Sequence, residues 1–324
     1  MTAPRAPLQT GARVWRAADL DDPSAWTWHL DDRQVDEMLA AAADPGRGLP
    51  GLRDELTALR TQLVTGRGFE LIRGFPAAEV GPEASAAAFS LIGAELGSAR
   101  SQNAAGDLLG HVRNVGADLD DPGVRIYQTN RRQTFHTDST DVVGLMCLET
   151  AAEGGASLLV SAGAIYNEML DRAPELAAAM FEPVATDRRG EVPVGADPYF
   201  SIPVLSWHDG ALTVLYQRQY IDSAQRFDDA PRLTSRQRAA LDLFDEIADD
   251  PAFHLRMDLD VGDMQFVHNH SLLHDRTAFV DKPGSPRHLL RLWLSVPGDR
   301  ELPPVFAQRY GSIEVGNRGG IVVG

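Results

Sequence analysis

Short apolar runs separated by turn residues fill the chain from about residue 124 to residue 296, and they restrict the fold more than any other feature. The runs are VRIYQTN, TFHTDSTDVVGLMCLE, ASLLVS, IPVLSWHDGALTVLYQRQYI, FHLRMDLDVGDMQFVHNH and RHLLRLWLSV. The Asp-Gly pair inside WHDGALTV is typical of a two-residue hairpin turn. Many short strands of this kind predict a β-sandwich or a jelly-roll barrel.

Segments with helical periodicity precede these strands and interrupt them. We predict a strand over 68–76 and helices over 31–43, 51–66, 83–97, about 162–181, and 233–250. The predicted fold class is α+β, mainly β, with a double-stranded β-helix (jelly-roll) core buttressed by helices. One domain accounts for the whole chain: a helical extension over 1–65, the core over about 66–296, and a tail over 297–324.

The charge of the chain excludes some partners. It has 324 residues, a formal net charge of −16 and a pI of about 4.9, so its field repels phosphate backbones and anionic membranes. We expect no nucleic-acid and no membrane partner, and homo-oligomerisation is left open. A single cysteine, Cys147, allows no disulfide within one chain. With no signal-like N-terminus, we expect a cytoplasmic protein.

A histidine and an aspartate two residues apart, His136 and Asp138, lie in the run RRQTFHTDSTDVVG. Residues i and i+2 of a strand point to the same face, so both side chains could reach one ion. A bare His-x-Asp is weak evidence by itself, because an exposed polar strand face has the same pattern.

Further histidines and two arginines come later in the chain. His268, His270 and His274 lie in VGDMQFVHNHSLLHDR, and Arg287 and Arg291 lie in SPRHLLRLWLSV. Both faces of that last run carry large apolar groups, so we predict a strand buried on both sides. A buried arginine needs an anion, either an internal carboxylate or a carboxylate ligand. Two histidines and one carboxylate with open positions form the facial triad of non-haem iron(II) oxygenases.

The spaced set of His136-x-Asp138, Gly262-Asp263, Asn269, His274 and Arg287 resembles the iron(II)- and 2-oxoglutarate-dependent dioxygenases of the taurine dioxygenase family. The superfamily includes γ-butyrobetaine hydroxylase and clavaminate synthase. GFELIRGFP and EGGASLLVSAGAIYNEML also match the family, so the resemblance covers roughly residues 66–296.

The resemblance implies roles for individual residues. His136, Asp138 and His274 match the Fe(II) ligands and the catalytic centre, whereas His268 and His270 do not match a ligand position. Arg287 and Ser157 match the residues that bind the 5-carboxylate of 2-oxoglutarate. Arg291 is similar to a second active-site arginine, although a structural ion pair is an alternative for it.

Substrate contacts are the least determined part of the sequence. The resemblance points to three segments, and a surface or structural role is an open alternative for each residue: Gln102, Asn103, Gln128, Arg132, Tyr216 and Arg218. Their cations and amides favour a small polar substrate that bears a carboxylate.

The predicted reaction oxidises a C–H bond, most simply by hydroxylation, while 2-oxoglutarate and O2 become succinate and CO2. Related halogenases replace the acidic ligand with a small residue, so Asp138 disfavours halogenation. Two other readings remain at this point: a cupin-like metal isomerase or oxygenase that does not use 2-oxoglutarate, and a non-catalytic jelly-roll binding protein.

Overall fold

A computed structural model describes residues 6–117 and 124–321, and within them the chain is a mixture of helices and strands. This confirms the mixed composition that the periodicity predicts. The α-helices are α1 Asp32–Ala43, α2 Arg53–Val64, α3 Ala77–Leu96, α4 Ala162–Arg172, α5 Pro174–Ala179, α6 Arg218–Ala224, α7 Ser235–Asp249 and α8 Ala307–Tyr310. None of the helices in the described residues is long and apolar enough to cross a membrane.

The strands are short and follow one another closely. They are β1 Thr27–His29, β2 Phe69–Arg73, β3 Ser98–Ala99, β4 Leu109–Arg113, β5 Gln133–His136, β6 Val142–Glu149, β7 Glu153–Gly154, β8 Ser157–Ser161, β9 Pro183–Asp187, β10 Tyr199–Pro203, β11 Leu205–His208, β12 Ala211–Val214, β13 His254–Met257, β14 Met264–His268, β15 Leu272–Arg276, β16 Phe279–Val280 and β17 His288–Ser295.

Two sheets organise these strands. The larger has the order β1-β2-β14-β6-β17-β3, with β4 also paired to β17, and the smaller has the order β13-β8-β15-β5. Every pairing is antiparallel except that of β1 with β2. The sequence predicts a helical extension over 1–65. The described part of this region also contains a strand, since β1 joins the larger sheet.

The inner faces of the two sheets share one apolar cluster. Its members include Val143 and Val267 from the larger sheet, and Leu159 and Leu272 from the smaller. Helices α1–α3 pack on the outer face of the larger sheet, and α4, α5 and α7 pack on the outer face of the smaller. The helices therefore cover the outer faces of both sheets, and the inner faces meet in the shared apolar cluster.

Strand β17 is buried on both faces, as predicted. Leu289 and Trp293 belong to the cluster between the sheets, while Leu290, Leu292 and Leu294 pack under the helices of the larger sheet. The Asp-Gly hairpin is also confirmed, because β11 and β12 pair through Asp209 and Gly210, whose φ angles are 45° and 74°.

Four predicted elements differ from those of the structure. VRIYQTN is not a strand but contains a 3₁₀ turn over Ile126–Gln128, and the predicted strand beyond Val214 gives way to α6. Helix 162–181 is broken at Ala173, because Pro174 disfavours a helical conformation in the preceding residue. Helix α3 starts earlier than predicted and has a non-helical residue at Gly81, before Pro82.

Candidate active site

Two histidines face each other across neighbouring strands of the smaller sheet. His136 ends β5 and is the direct partner of His274 in β15, and their ring centroids lie 4.1 Å apart. The Nδ1–H of His136 can donate to the carbonyl of Thr134 at 2.9 Å, and Nε2 then accepts from the side-chain amide of Gln133 at 2.8 Å, so Nε2 carries the lone pair that a ligand atom needs. Antiparallel pairing thus joins residues that are 138 positions apart in the sequence.

Asp138 meets the two rings from a loop rather than from a strand, because β5 ends at His136. The strand-parity argument for the His-x-Asp pair is therefore wrong, although the side chains do converge. The amide N–H of Asp138 donates to the Asn269 side-chain oxygen at 2.9 Å, and Trp293 donates its indole N–H to Asp138 Oδ2 at 2.8 Å. These two bonds fix the carboxylate in the absence of a strand.

The three side chains form a compact donor set. One ligand atom from each of His136, Asp138 and His274 lies within 4.8 Å of the others, and all three residues are buried. His274 Nε2 is 3.8 Å from Asp138 Oδ2, and its Nδ1 is buried without a hydrogen-bond partner among the described residues. Two imidazoles and one carboxylate at this separation suit a first-row divalent metal.

The electrostatics keep these donors in the form that a metal needs. Burial lowers the pKa of His274 to about 3, and it also lowers the pKa of His136. Burial alone would raise the pKa of Asp138, but Arg291, the two histidines and Trp293 hold that pKa below its ordinary value. At neutral pH the set is two neutral imidazoles and one carboxylate.

The other histidines of the segment belong to a buried ionic network. His270 Nε2 lies 2.8 Å from Asp141 Oδ1, and His268 Nε2 lies 3.0 Å from Asp299 Oδ1. Asp141, His270 and Asp299 could also form a metal site by distance alone. However, the fully buried Arg318 donates to Asp141 at 2.6 Å and to Asp299 at 3.0 Å, so a guanidinium already occupies the position between these two carboxylates.

Two cavities lie beside the triad. The smaller, called the second cavity below, has a volume of about 480 Å³ including its open mouth and is lined by Ser157 and Arg287 as well as by His136 and His274. Arg287 donates to the Gly155 carbonyl at 3.1 Å, and its Nη1 is buried without a partner among the described residues. Burial lowers the pKa of Arg287. The Ser157 hydroxyl donates to Gln265 at 3.0 Å. A buried guanidinium without a carboxylate partner is suited to an anionic ligand.

The Gly-Gly pair before β8 explains how this arginine fits. A Cβ atom at Gly155 would lie 2.8 Å from Arg287 Nε, and a Cβ at Gly154 would lie 2.1 Å from the Ala278 carbonyl oxygen. Both residues also have φ above 70°. Glycine is therefore required where the chain passes over the guanidinium.

Arg276 is a cavity residue that the sequence reasoning missed. It lies two positions after His274 on the same strand, so strand parity could have revealed it. Its guanidinium donates to the carbonyls of Thr129 and Arg131, and burial lowers its pKa to about 9. The second cavity is therefore lined by Arg276 in addition to Arg287 and Arg291.

Arg291 lies where the two cavities meet. Its Nε–H donates to Gln102 Oε1 at 2.7 Å, and its Nη1 is 3.8 Å from Asp138 Oδ2. The Gln102 amide in turn donates to the Arg291 carbonyl at 2.7 Å. Gln102 thus holds the arginine in place, and the arginine faces the candidate metal-binding set.

The larger cavity, about 720 Å³ including its open mouth, lies on the other side of His136. It shares Tyr127, Gln133, His136 and Arg291 with the second cavity. Its walls also include residues that the sequence reasoning did not select: Arg125, Arg188, Phe200 and Arg309. These residues lie far apart in the chain, and no local pattern distinguishes them.

The structure does not bring all of the predicted substrate residues to this cavity. Gln102 and Tyr216 line it, but the Tyr216 hydroxyl donates to Asp245 at 2.5 Å. Arg132 is bound to Asp249 and Asp275, and Arg218 is bound to three aspartates. Asn103 bonds to Asp107, and Gln128 caps the amide of Arg125. Asn103, Gln128, Arg132 and Arg218 are not among the described residues that line the cavity.

Comparison with known proteins agrees with this geometry. Residues 31–293 match the family described as "Taurine catabolism dioxygenase TauD, TfdA family". The chain belongs to this family. It is also 35% identical to FR-33289 synthase of Streptomyces rubellomurinus (strain ATCC 31215) over 315 residues, which cover 91% of this chain and 92% of that protein.

Solved structures show the same fold. An asparagine oxygenase bound to Fe(II), 2S,3S-3-hydroxyasparagine and succinate aligns with a TM-score of 0.66 at 20% identity, over 83% of this chain and 93% of that one. The non-haem iron oxygenase OrfP, bound to Fe and alpha-ketoglutaric acid, aligns with a TM-score of 0.63 at 16% identity, again over 83% and 93%. The protein is an iron- and 2-oxoglutarate-dependent oxygenase, which decides between the three readings of the sequence in favour of the first.

Proposed function

We propose that His136, Asp138 and His274 hold the iron(II) ion of this oxygenase. The observation that carries the proposal is the convergence of three buried ligand atoms within 4.8 Å, two of them on paired strands. The protonation state of the set supports it, since all three groups are ready to bind a cation at neutral pH. An iron ion held there would activate O2, a reaction that amino-acid side chains alone do not perform.

Arg287 and Ser157 bind the distal carboxylate of 2-oxoglutarate in the second cavity. The surroundings of Arg287 support this role. The side chain is buried and donates to a backbone carbonyl, and its Nη1 has no hydrogen-bond partner among the described residues. Arg276 adds a second positive charge on the same wall. Arg291 lies next to Asp138 and faces the end of the co-substrate that approaches the metal.

The larger cavity holds the substrate, a small polar anion, with the reacting C–H bond directed toward His136 and Asp138. One oxygen atom of O2 enters the substrate as a hydroxyl group, and the other enters succinate as CO2 leaves the co-substrate. Because the two cavities meet at His136 and Arg291, substrate and co-substrate approach the same centre from different sides. The two-sheet core is a double-stranded β-helix with the site between its sheets.

Anaerobic addition of Fe(II) and 2-oxoglutarate tests the proposal. The wild type should develop the weak visible charge-transfer band of a metal-bound 2-oxo acid. His274→Ala should lose the metal and the band, whereas His270→Ala should keep the band if the variant folds. The reverse result would overturn the ligand assignment. A screen for substrate-dependent succinate release then identifies the substrate.

A further inference from the structure

The larger cavity is unusually cationic for so acidic a protein. Arg125, Arg188 and Arg309 line it together, although the whole chain carries a formal net charge of −16. Arg188 is 5% exposed, and the side chains of Arg125 and Arg309 are 15% and 8% exposed. Removing three guanidiniums from water is costly unless they meet anions.

The carboxylates of the protein do not balance this charge. Glu191 forms an ion pair with Arg125 and lies 3.9 Å from Arg309. Asp187 also lines the cavity, but it is already bound to Arg226 at 2.6 Å. The carboxylate of Asp197 also interacts with Arg188 but forms no ion pair with it. Among the described residues only Glu191 forms ion pairs with the three guanidiniums, so two of the three positive charges lack a carboxylate in direct contact.

Arg188 carries the clearest sign of a missing partner. Its Nε–H donates to the carbonyl of Asp197 at 3.0 Å and one Nη donates to the carbonyl of Gln308, so the guanidinium is held in one orientation. Its remaining nitrogen, Nη1, is buried without a partner in the described part of the chain. Carbonyl groups position this arginine but do not neutralise it.

Arg309 links the same cluster to the metal-binding loop. Its Nε–H donates to the hydroxyl of Ser139 at 2.9 Å, and Ser139 follows Asp138 in the sequence. The Phe200 ring lies beside both guanidiniums. The guanidinium carbon is 5.4 Å from the ring centroid for Arg188 and 5.9 Å for Arg309. Burial and the nearby Arg125 and Arg188 lower the pKa of Arg309 to about 10, although Glu191 opposes this.

We propose that Arg188 and Arg309, flanked by Arg125, bind a doubly charged phosphoryl group of the substrate, either a phosphate ester or a phosphonate. Two positive charges without a carboxylate in direct contact match a dianion better than a single carboxylate, and fork-shaped guanidiniums suit its oxygens. Arg309 lies beyond residues 31–293, the part that matches the family, whereas Arg125 and Arg188 lie within it. The inference rests on the proposed function, because it names the substrate that the larger cavity accepts.

Calorimetric titration with methylphosphonate, methyl phosphate and acetate tests the subsite. The protein is first loaded anaerobically with Fe(II) and saturating 2-oxoglutarate, so that the co-substrate cavity is filled. Methylphosphonate or methyl phosphate should bind clearly more tightly than acetate, and the tighter of the two identifies the phosphorus linkage. Acetate binding as tightly as both would overturn the assignment of a dianion.

Two substitutions locate the binding. Arg188→Gln keeps a side chain that can bond to the Asp197 and Gln308 carbonyls, and it should weaken the tighter probe about thirtyfold or more, as expected when one partner of a desolvated charge pair is removed. Arg309→Gln should have a similar effect. Arg172→Ala removes an exposed arginine that is bound to Glu246, and it should change nothing. Unchanged binding in a folded Arg188→Gln protein would refute the subsite.

The design separates this proposal from the general function. If the charge-transfer band forms but neither phosphorus probe binds, the subsite is wrong and the proposed function stands. If the band fails to form, the proposed function is wrong, and titration of the metal-free protein still decides whether the arginine cluster binds a phosphoryl group. The band and the melting temperature of each variant show whether it has folded.

Discussion

Replacing Trp293 with phenylalanine should weaken metal binding without removing a ligand. The indole N–H donates to Asp138 Oδ2 at 2.8 Å, and Trp293 is 5% exposed, so water cannot easily replace the donor. Phenylalanine keeps most of the apolar packing between the sheets but leaves one carboxylate oxygen without that hydrogen bond. A hydrogen bond to a charged group contributes about 1.5–3 kcal/mol.

That free energy sets the size of the effect. Loss of a residue that orients a metal ligand typically costs about 10–100-fold in metal affinity. The free energy of the hydrogen bond, converted to a ratio of binding constants, gives a factor of similar size. We therefore expect Fe(II), or Mn(II) as a stable substitute, to bind Trp293→Phe about 10–100-fold more weakly than the wild type. The metal concentration needed for half-maximal charge-transfer absorbance should rise to match.

A matched control separates metal binding from general packing. Trp26 is also 5% exposed, packs in the same cluster, and donates its indole N–H to the carbonyl of Leu20 at 3.1 Å. Trp26→Phe should lower the melting temperature and leave metal affinity unchanged. Equal metal affinity in Trp293→Phe and the wild type would show that the bond to Asp138 does not orient the ligand.

Other substitutions give independent tests. Arg287→Ala should raise the KM for 2-oxoglutarate by about thirty- to several-thousandfold, the equivalent of 2–5 kcal/mol for one partner of a desolvated pair, while Ser157→Ala should cost about 1 kcal/mol; steady-state kinetics with both substrates decides. Asp138→Ala should lose most activity and should not halogenate, which mass spectrometry of products formed in chloride under ¹⁸O₂ would reveal. Arg318→Met should lower the free energy of unfolding by about 3–5 kcal/mol, because it leaves buried carboxylates unpaired, and urea titration measures this. Burial lowers the pKa of His268 to about 4, so the unfolded chain protonates this imidazole more readily than the folded protein does. The free energy of unfolding should therefore fall as pH decreases from about 6.5 to 4, and a His268→Gln variant should show a smaller fall.

The resemblance of the spaced residues to the taurine dioxygenase family was sufficient to select the candidate metal set, and the structure gives the physical reasons for their spacing. Gly262 has a φ of 95°, and a Cβ there would lie 1.9 Å from the Phe75 carbonyl oxygen. Asp263 closes the turn before β14 by accepting from the amide of Asp260 at 2.9 Å. Asn269 holds the amide of Asp138. These residues are markers of the pattern because they position the strand and the loop that carry the ligands.

The substrate cavity could not be predicted in the same way. Arg188 follows β9 and Arg309 belongs to α8, so 121 positions separate two side chains that contact the same aromatic ring. Neither lies in a periodic segment or near a ligand in the sequence. The long loop between β9 and β10 and the C-terminal tail meet only through tertiary packing, and nothing in their local composition predicts that contact.

The nature of the partner distinguishes a structural arginine from a ligand-binding one in this fold. Arg132 and Arg218, selected from the sequence as substrate contacts, are each neutralised by aspartates of the protein. Arg287 and Arg188 are instead held by backbone carbonyls, and each keeps one buried nitrogen without a partner in the described residues. A carbonyl fixes the direction of a guanidinium and leaves its charge for another molecule, whereas a carboxylate removes that charge. By this criterion we expect each of the two cavities that meet at His136 to present an anion-binding arginine to the same centre, Arg287 for the co-substrate and Arg188 for the substrate.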